Sequence, residues 1–312
     1  MSRPRAVVFA YHDVGVRCLK ALLSGGVEVP LVVTVADDPS EVQWYASVAD
    51  CARDYGLECL TPADANTAPL EARVAALAPD LLFCFYYRSM LKAPLLASAR
   101  RGAFNMHGSL LPKYRGRVPV NWAVLRGETR TGATLHEMIE KPDAGRIVDQ
   151  ETVAILPDEL AVDVFRKVSA AAARVLERSL PKLVDGSAVL RPQDLSLGGY
   201  FGGRRPEDGR IDWSLPAKRI HDLVRAVAPP YPGAFTEVDG KRLRVLRTRL
   251  MAETGTAQPP PVLYERNGRC FAACAGGGIL ELLELELDGK PLSAQEFATQ
   301  LGGRLLPGRE QK

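Results

Sequence analysis

The sequence predicts an α/β fold: a Rossmann-like, mostly parallel sheet with helices on both faces, followed by a small C-terminal β-barrel of the OB-like kind. In the first half, short apolar runs alternate with segments of helical spacing, the pattern of a parallel sheet covered by helices. The run DLLFCFYY at 80–87 lacks polar alternation, so both its faces are expected to be buried. After residue 233, short strand-like runs separated by Asp-Gly and Asn-Gly turns predict the barrel.

The elements of the first half follow one another in strand and helix order. Apolar runs predict strands at 5–11, 29–36, 80–87 and 102–107. Helical spacing predicts helices at 14–23, 44–56, 70–78, 118–127 and 161–184. The segments 132–140 and 145–155 are predicted to pair as antiparallel strands across the turn that joins them.

A change of composition predicts two domains. Residues 198–209, GGYFGGRRPEDG, are rich in glycine and charge, as a linker or loop would be. A short helix at 217–227 and the strand-like runs AFTEV, RLRVLRT, VLYERN, CFAACA and ILELLELEL follow. We therefore expect a catalytic domain at 1–197 and a substrate-side β-barrel domain at 198–312.

Composition indicates a cytoplasmic globular protein. The 312 residues contain no apolar run near the roughly 18 that a membrane helix needs, and the N-terminus lacks the pattern of a signal peptide. The six cysteines are scattered without a C-x-x-C pair, so we expect reduced thiols and no zinc site. No membrane insertion and no bound metal are expected.

The charge distribution and the absence of two nucleotide-binding motifs limit the classes of ligand that the sequence predicts. The formal net charge is only +3, which does not by itself indicate nucleic acid. Residues 201–250 hold eleven Lys or Arg and six Asp or Glu, which suits either a phosphate-bearing ligand or a solvated basic face. The turn after the first strand reads YHDVGVR, and neither G-x-G-x-x-G nor a Walker A sequence is present, which argues against bound NAD.

Asn105 and His107 carry the first chemical signal. Two residues apart in a strand, they share one face at its carboxyl end, where such sheets place ligands. An amide N–H and an imidazole N–H can both donate to an oxygen that gains charge, as in an oxyanion hole. The alternative is a structural strand histidine. The following SLLPKYRGR forms a basic loop with Lys113, Arg115 and Arg117, suited to a carboxylate or phosphate or merely exposed.

Three further polar sites have competing interpretations. Asp143, in KPDAG, is either ordinary turn chemistry or a carboxylate that orients the histidine and accepts a proton. His12 and Asp13 end the first strand, and capping of the next helix is favoured over lining a pocket. His136 and His221 are interpreted as structural.

Together, Asn105, His107, the SLLPKYRGR loop and Asp143 resemble the 10-formyltetrahydrofolate-dependent formyltransferase family, over about residues 5 to 305. The resemblance implies the formyltransferase fold, a formyl donor rather than a resident cofactor, and catalytic roles for Asn105, His107 and Asp143. It also implies that the folate lies against two segments and one arginine. These implied folate contacts are Ser89, Met90, Leu91, Arg117, Ile139, Glu140, Lys141 and Pro142. A non-enzymatic folate or nucleotide binder is the competing class, but a binder needs no oxyanion hole.

Within the family the sequence most resembles the formyltransferase portion of bifunctional polymyxin-resistance enzymes, which act on UDP-4-amino-4-deoxy-L-arabinose for lipid A modification. The matching phrases are VVFAYHDVG, FYYR, FNMHGSLLPKYRGR, NWAVLRGET, ATLHEMIEKPDAG, FGGRRPEDG and RAVAPPYPGAF. The implied partners are small molecules, the UDP-amino sugar and the folate. Arg204, Arg205 and Arg225 are the candidates for the diphosphate, because guanidinium groups suit phosphate oxygens.

The alternatives are methionyl-tRNA formyltransferase and formylation of another nucleotide-linked amino sugar. The tRNA enzymes typically read His-Ala-Ser where this chain reads His107-Gly108-Ser109, and carry a long basic insertion where 35–44 is short and acidic. No nucleic-acid partner is therefore expected. The polymyxin-resistance relatives often continue into an NAD-dependent decarboxylase. The chain matches only the transferase half, so two expectations stay open. Either it acts alone, as a homo-oligomer or beside a separate decarboxylase, or it is the transferase piece of a longer protein.

Overall fold

The computed structural model describes residues 3–36, 43–251 and 260–306. Asp37, Asp38 and Glu41, the acidic residues of the 35–44 segment, lie outside the described residues. The chain divides into two compact units. The first unit comprises Met1–Pro119, Arg130–Ala154 and Phe165–Gly202, and the second comprises Val120–Thr129, Ile155–Val164 and Gly203–Lys312. The division into a catalytic and a substrate-side domain at residue 197 stays a prediction.

The first unit is built on a mixed sheet of seven strands. In chain order the strands of this unit are β1 Arg5–Ala10, β2 Glu28–Val33, β3 Cys59–Leu60, β4 Leu81–Phe85, β5 Ala103–His107, β6 Arg115–Gly116, β7 Arg130–Glu137, β8 Ile147–Ala154 and β9 Tyr200–Phe201. The sheet has the order β3-β2-β1-β4-β5-β7-β8, and β6 pairs with β9 apart from it. The first five are parallel, whereas β7 and β8 are antiparallel. The predicted mostly parallel sheet is confirmed.

Eight α-helices accompany the strands in the described ranges. They are α1 His12–Ser24, α2 Val48–Asp54, α3 Ala68–Ala76, α4 Ala93–Leu96, α5 Pro119–Leu125, α6 Ala161–Asp185, α7 Ala217–Val227 and α8 Ala294–Leu301. Helix α2 is shorter than predicted because the Ser47 hydroxyl accepts from the Asp50 N–H and caps it there. No helix in the described part of the chain is long and apolar enough to cross a membrane.

The core of the first unit explains the uninterrupted apolar runs of the sequence. Every residue of β4 is buried, as expected for a central parallel strand covered on both faces. Phe83 and Phe85 stack with ring centroids 5.4 Å apart, and neither is exposed. Leu82 and Cys84 belong to a buried cluster that also contains Leu91. This core fixes the position of β5 beside β4.

The second unit has an antiparallel sheet. Its strands are β10 Ala234–Val238, β11 Lys241–Leu250, β12 Val262–Arg266, β13 Arg269–Ala273, β14 Ile279–Leu287 and β15 Lys290–Pro291. They take the order β10-β11-β14-β13-β12, with β15 on β14. Trp213 and Phe297, both fully buried, are its largest core side chains. The predicted α/β fold followed by a small antiparallel β domain is confirmed in this form.

Candidate active site

The candidate site begins on β5, the last parallel strand of the sheet, which pairs with the first antiparallel strand, β7. Asn105 and His107 are two residues apart, so the alternation of the strand puts both side chains on one face. The antiparallel register places His136 directly opposite Asn105 and Thr134 directly opposite His107. Side chains of directly opposed residues contact each other across the strands. Strand β7 therefore contributes to the same face as β5.

Asp143 completes the cluster that the sequence predicts. Its Oδ1 lies 3.6 Å from Nδ1 of His107 and 3.5 Å from Nδ2 of Asn105. Its Oδ2 accepts the backbone N–H of Gly116 at 2.8 Å. The backbone of Asp143 has a φ of 51°, a left-handed conformation that aspartate tolerates better than most residues. The residue therefore makes the turn, and the turn brings its carboxylate close to Asn105 and His107. That it accepts a proton stays a prediction.

The side chain of Gln193 and the backbone N–H of Gly116 hold the Asp143 turn and its carboxylate in place. The sequence pattern did not predict the part played by Gln193. Gln193 donates from Nε2 to the carbonyls of Asp143, at 3.0 Å, and Gly145, at 2.6 Å. It lies far along the chain, and no sequence pattern links it to the turn. Gly116 has a φ of 101°, and a Cβ there would lie 2.2 Å from the carbonyl oxygen of Phe201. Glycine is required at 116 so that its N–H can reach Asp143.

The imidazole of His107 is oriented by a backbone carbonyl. Its Nε2 lies 2.8 Å from the oxygen of Tyr114, and a carbonyl only accepts, so Nε2 carries a proton and donates. Nδ1 is consequently the nitrogen that faces Asp143. Burial lowers the pKa of His107, and the carboxylate of Asp143 opposes that effect. Burial acts to raise the pKa of Asp143, but His107 and His136 in their protonated forms and the backbone N–H of Gly116 lower that pKa, and the net result is a pKa well below the ordinary value. The carboxylate is therefore ionised at neutral pH.

His136 belongs to the same cluster, a position that the sequence pattern did not predict. Interpreted from the sequence as structural, it is only 2% exposed, and its Nε2 lies 3.0 Å from Nδ2 of Asn105. The same Nε2 is 3.5 Å from Oδ1 of Asp143. The missing signal is the register of β7 on β5, which the sequence pattern does not reveal. Among the described residues, no cluster of three or more His, Cys, Asp or Glu side chains could hold a metal ion.

Gly108, next to His107, lies against a tyrosine that directly follows β4. A Cβ built on Gly108 would lie 1.7 Å from the hydroxyl oxygen of Tyr86 and 3.0 Å from Cζ of that ring. Tyr86 reaches this position because its own backbone has a φ of 59° at the end of β4. An alanine at 108 thus requires the Tyr86 ring to move. The absence of a side chain at Gly108 and the position of the Tyr86 ring are therefore sterically linked.

The basic loop has one internal and two exposed cations. Arg115 is 8% exposed and donates to the carbonyls of Leu195, at 3.3 Å, and Gly198, at 3.1 Å, so it holds the loop against residues 195–198. Lys113 and Arg117 are exposed. Of the three cations, these two are the ones positioned to meet a ligand from solvent.

The segments predicted to contact folate lie in the first unit and have unusual apolar exposure. Met90 is 54% exposed and Ile139 is 43% exposed, whereas Leu91 is buried in the core cluster that also packs against Met138. Asn66 fixes one segment by donating from Nδ2 to the Met90 carbonyl at 2.9 Å. Ser89, Arg117, Glu140 and Lys141 are exposed and Pro142 is half-buried. The two segments thus offer exposed apolar side chains to a ligand.

The predicted diphosphate arginines lie in the second unit and have different surroundings. Arg204 stacks over Trp122, with its Cζ 5.0 Å from the ring centroid, and donates to the Asp208 carbonyl at 2.8 Å. Arg205 is exposed. Arg225 is 3% exposed, and its guanidinium donates to Oδ1 of Asp222 at 2.5 Å and to the Glu159 carbonyl at 2.9 Å. Arg225 is engaged by protein oxygens, so Arg204 and Arg205 are the more accessible of the three.

The turn after β1 differs from its prediction. Helix α1 begins at His12 with Tyr11 as its N-cap and no side-chain cap, so the expected capping by His12 and Asp13 is wrong. His12 instead stacks on Tyr45, with ring centroids 3.9 Å apart, and meets the edge of Trp44 at 4.7 Å. Asp13 accepts the N–H of Ala46 at 2.9 Å. The side chains of this turn hold the segment that precedes α2.

Comparison with solved structures finds the same fold in sugar N-formyltransferases. An N-formyltransferase from Helicobacter canadensis, in complex with folinic acid and dTDP-3-aminofucose, has a TM-score of 0.71 at 18% identity and covers 89% of this chain and 98% of that one. WlaRD, a sugar 3N-formyl transferase in the presence of dTDP and 5-N-formyl-THF, has a TM-score of 0.69 at 16% identity, covering 90% and 97%. A 4-N formyltransferase from Francisella tularensis has a TM-score of 0.63 at 21% identity, covering 77% and 95%. At these identities the likeness concerns the fold.

Two family models match the chain, and together they extend over most of its length. The model described as formyl transferase matches residues 5–180, which includes β5, the Asp143 turn and β7. The model described as formyl transferase, C-terminal domain, matches residues 204–302. The first match alone spans more than half of the chain, and the chain therefore belongs to the formyl transferase family.

Proposed function

We propose that this enzyme transfers a formyl group from 10-formyltetrahydrofolate to the amino group of a nucleotide-linked sugar. The observation that carries the proposal is the convergence of Asn105, His107 and Asp143 within 3.6 Å contacts on one face of β5. That set joins hydrogen-bond donors for an oxyanion to a proton-accepting carboxylate. The neighbours solved with a formylated folate and a dTDP-sugar support the substrate classes.

The reaction is direct acyl transfer. The neutral amine of the sugar attacks the formyl carbon, and a new C–N bond forms while the carbonyl oxygen gains negative charge. The tetrahedral intermediate then collapses, breaking the bond between the formyl carbon and N10 of the folate. Donors already oriented toward the developing oxyanion stabilise it without reorganisation. We assign that role to the Asn105 amide N–H and, once the imidazole has taken up a proton at Nδ1, to His107.

The proton lost by the amine is assigned to the pair of Asp143 and His107. Oδ1 of Asp143 and Nδ1 of His107 are 3.6 Å apart. Neither atom carries a proton in the resting site, because the proton of the His107 ring is on Nε2. Uptake by this pair, directly or through water, leaves an imidazolium beside a carboxylate. Nδ1–H can then donate to the oxyanion, and the proton finally leaves with N10 of the folate. Once Nδ1 is protonated, Asp143 also holds the ring through this contact.

The folate is proposed to lie against Ser89–Leu91 and Ile139–Asp143, with Arg117 nearby. The exposure of Met90 and Ile139 supports this, because such apolar side chains suit the face of a pterin. Lys141 and Arg117, both exposed, can meet the carboxylates of the donor. Glu140 and Pro142 contribute backbone groups in the same segment.

For the acceptor we propose UDP-4-amino-4-deoxy-L-arabinose, which places the enzyme in lipid A modification and polymyxin resistance. The phrases shared with the formyltransferase portion of polymyxin-resistance enzymes support this choice, as does the Gly108 and Tyr86 pair, which leaves no room for the alanine of the tRNA enzymes. Arg204 and Arg205 are proposed to bind the diphosphate. Another nucleotide-linked amino sugar is the second candidate, supported by the neighbour solved with dTDP-3-aminofucose and by the sugar 3N-formyl transferase solved with dTDP.

An acceptor panel tests the proposal. Purified protein is given 10-formyltetrahydrofolate with UDP-4-amino-4-deoxy-L-arabinose, with a dTDP-linked 3-amino sugar, or with charged initiator tRNA, and each product is identified by mass. We expect the UDP-sugar to have the highest kcat/KM and the tRNA to remain unformylated. Preference for the dTDP-sugar overturns the UDP-sugar assignment alone. Formylation of only the tRNA overturns the sugar class.

A further inference from the structure

We infer that His136 is a positioning residue that holds the Asn105 amide with its nitrogen, rather than its oxygen, toward Asp143 and the reacting formyl group. This orientation of the amide is fixed by hydrogen bonds and is independent of which acceptor the enzyme uses. Its consequence for turnover rests on the proposed formyl transfer. The contacts of β5, β7 and the Asp143 turn, all in the first unit, carry it.

The tautomer of His136 follows from its backbone partner. Nδ1 lies 2.8 Å from the carbonyl oxygen of Glu137, and because a carbonyl only accepts, Nδ1 carries the proton. A neutral imidazole has one N–H, so Nε2 presents a lone pair. The ring is 2% exposed, which leaves little water to compete for that lone pair.

The lone pair decides the orientation of Asn105. Nδ2 of Asn105 is 3.0 Å from Nε2 of His136, so the amide donates one N–H to the ring. If the amide turned by 180°, its carbonyl oxygen would face that lone pair and also the carboxylate of Asp143, whose Oδ1 lies 3.5 Å from the present nitrogen. The carbonyl oxygen of Asn105 would then face two other acceptors, Nε2 of His136 and Oδ1 of Asp143, and would be repelled by both. The ring and the carboxylate thus select the same orientation.

The orientation leaves one N–H for chemistry. The first N–H of Asn105 is taken by His136 at 3.0 Å, whereas the second has only the 3.5 Å contact with Asp143, longer than an ordinary hydrogen bond. That second N–H is available to a formyl oxygen. With the amide reversed, a carbonyl oxygen would stand there and repel the developing oxyanion. His136 therefore contributes to the oxyanion site without touching the substrate.

Nitrogen NMR tests the orientation without any assay. Only four histidines occur in the chain, so ring nitrogens of the uniformly ¹⁵N-labelled protein can be assigned by comparison with His136→Gln. At about pH 8, where ordinary histidines are neutral, we expect a protonated Nδ1 and an unprotonated Nε2 for His136. His107 should show the reverse pattern, with Nε2 protonated by its bond to Tyr114. A protonated Nε2 on His136 overturns the inference.

A pair of substitutions tests the consequence. An asparagine side chain reaches only to the position of Nδ1, whereas a glutamine reaches that of Nε2 and can accept there. We expect His136→Asn to lower kcat about tenfold, the worth of one ordinary hydrogen bond, with little change in KM for the folate. His136→Gln should lose less. Equal losses in the two variants, or none in His136→Asn, contradict the role of the Nε2 lone pair.

A second buried histidine supplies the control. His221 of α7 is 2% exposed, and its Nδ1 is hydrogen-bonded to the Thr248 hydroxyl at 2.9 Å, so His221→Asn is an equally buried substitution away from the cluster. It should leave kcat unchanged while lowering Tm, and a matching loss of kcat there would contradict a specific role for His136. If the wild-type protein transfers no formyl group, the proposed function fails, and the ring-nitrogen spectrum still decides the inference. If His136→Asn does not fold, that spectrum decides it as well.

Discussion

Asn105 and His107 derive their chemistry from neighbours that occupy their other hydrogen-bonding atoms. Nε2 of His107 is used by the Tyr114 carbonyl, and one N–H of Asn105 is used by His136. What remains is Nδ1 of the ring and one amide N–H, both directed to the side on which Asp143 stands. The proposed roles of the three side chains depend on this division between fixed and available atoms.

The first prediction at this scale concerns the oxyanion donors. Asn105→Ala and His107→Ala should each lower kcat by about 10²- to 10³-fold, because each removes one donor to the oxyanion. KM for both substrates should change little, since the donors act in the transition state. Steady-state kinetics measure this, with far-UV circular dichroism to establish that each variant is folded. Turnover near the wild-type value in either folded variant would contradict the assigned roles.

The second prediction concerns the space beside His107. Gly108→Ala should strongly reduce kcat, because the new Cβ would lie 1.7 Å from the Tyr86 hydroxyl and displace the ring or the turn. Removing the hydroxyl relieves the closest contact but leaves Cζ at 3.0 Å, so Gly108→Ala with Tyr86→Phe should recover part of the loss. Tyr86→Phe alone is the matched control. Losses that simply multiply in the double variant would show that the two positions are independent.

At the scale of elements, the antiparallel turn of the sheet at β7 creates the site. A parallel neighbour would bring a different set of residues opposite β5, whereas the antiparallel register sets His136 against Asn105. The chain then returns through the Asp143 turn, which Gln193 secures. The strands, their near-continuous apolar runs and the 132–155 hairpin could all be predicted, because periodicity and turn residues are local signals. Register and long-range partners such as Gln193 could not, because they depend on which strands pair.

Helix α7 gives a prediction about stability. Arg225 and Asp222 are buried at 3% and 2% exposure and are paired at 2.5 Å, so Arg225→Met leaves a carboxylate with one fewer partner in the core of the second unit. We expect the free energy of unfolding to fall by about 3 kcal/mol, measured by urea denaturation. Arg204→Met is the control, since its stem can still cover Trp122, and it should instead raise KM for the nucleotide sugar. Equal unfolding free energies for the wild type and Arg225→Met would show that the pair contributes nothing to stability.

At the scale of the whole molecule, buried neutral histidines make stability depend on pH. Burial lowers the pKa of His12 from 6.5 to about 4 and also lowers the pKa values of His107 and His221. The unfolded chain then binds protons that the folded chain does not, so stability present above about pH 6.5 is lost as the pH falls toward 4. The low pKa of Asp143 acts in the same direction, but at more acidic pH.

His12→Asn isolates one of these contributions. Asparagine cannot titrate, tolerates the φ of 66° at this position, and can accept the Asp13 N–H as the ring nitrogen does. The variant should be less stable at neutral pH, because it loses the stacking on Tyr45, but its stability should fall less between about pH 7 and pH 5, since each unit of pKa difference is worth about 1.4 kcal/mol. Urea midpoints at the two pH values measure the difference. An unchanged pH dependence would place the titrating groups elsewhere.

The division of the chain into two compact units could be predicted only in part from the sequence. The change of composition near 198–209 is visible because glycine and charge are concentrated there. The assignment of 120–129 and 155–164 to the second unit is not visible, because both segments stand between elements of the first. Short segments that leave one unit for another carry no compositional mark of their own.

The central claim is that the cluster on β5 moves a formyl group from a folate to an amino sugar, and one isotope experiment tests it directly. The protein is mixed with 10-[¹³C]formyltetrahydrofolate and UDP-4-amino-4-deoxy-L-arabinose, and the sugar product is examined by mass spectrometry and ¹³C NMR. We predict a ¹³C-formamide on the sugar nitrogen, formed by the wild type and at least about a hundredfold more slowly by Asn105→Ala. A wild-type protein that leaves all of the label on the folate, or an Asn105→Ala variant that transfers it at the wild-type rate, would contradict the account.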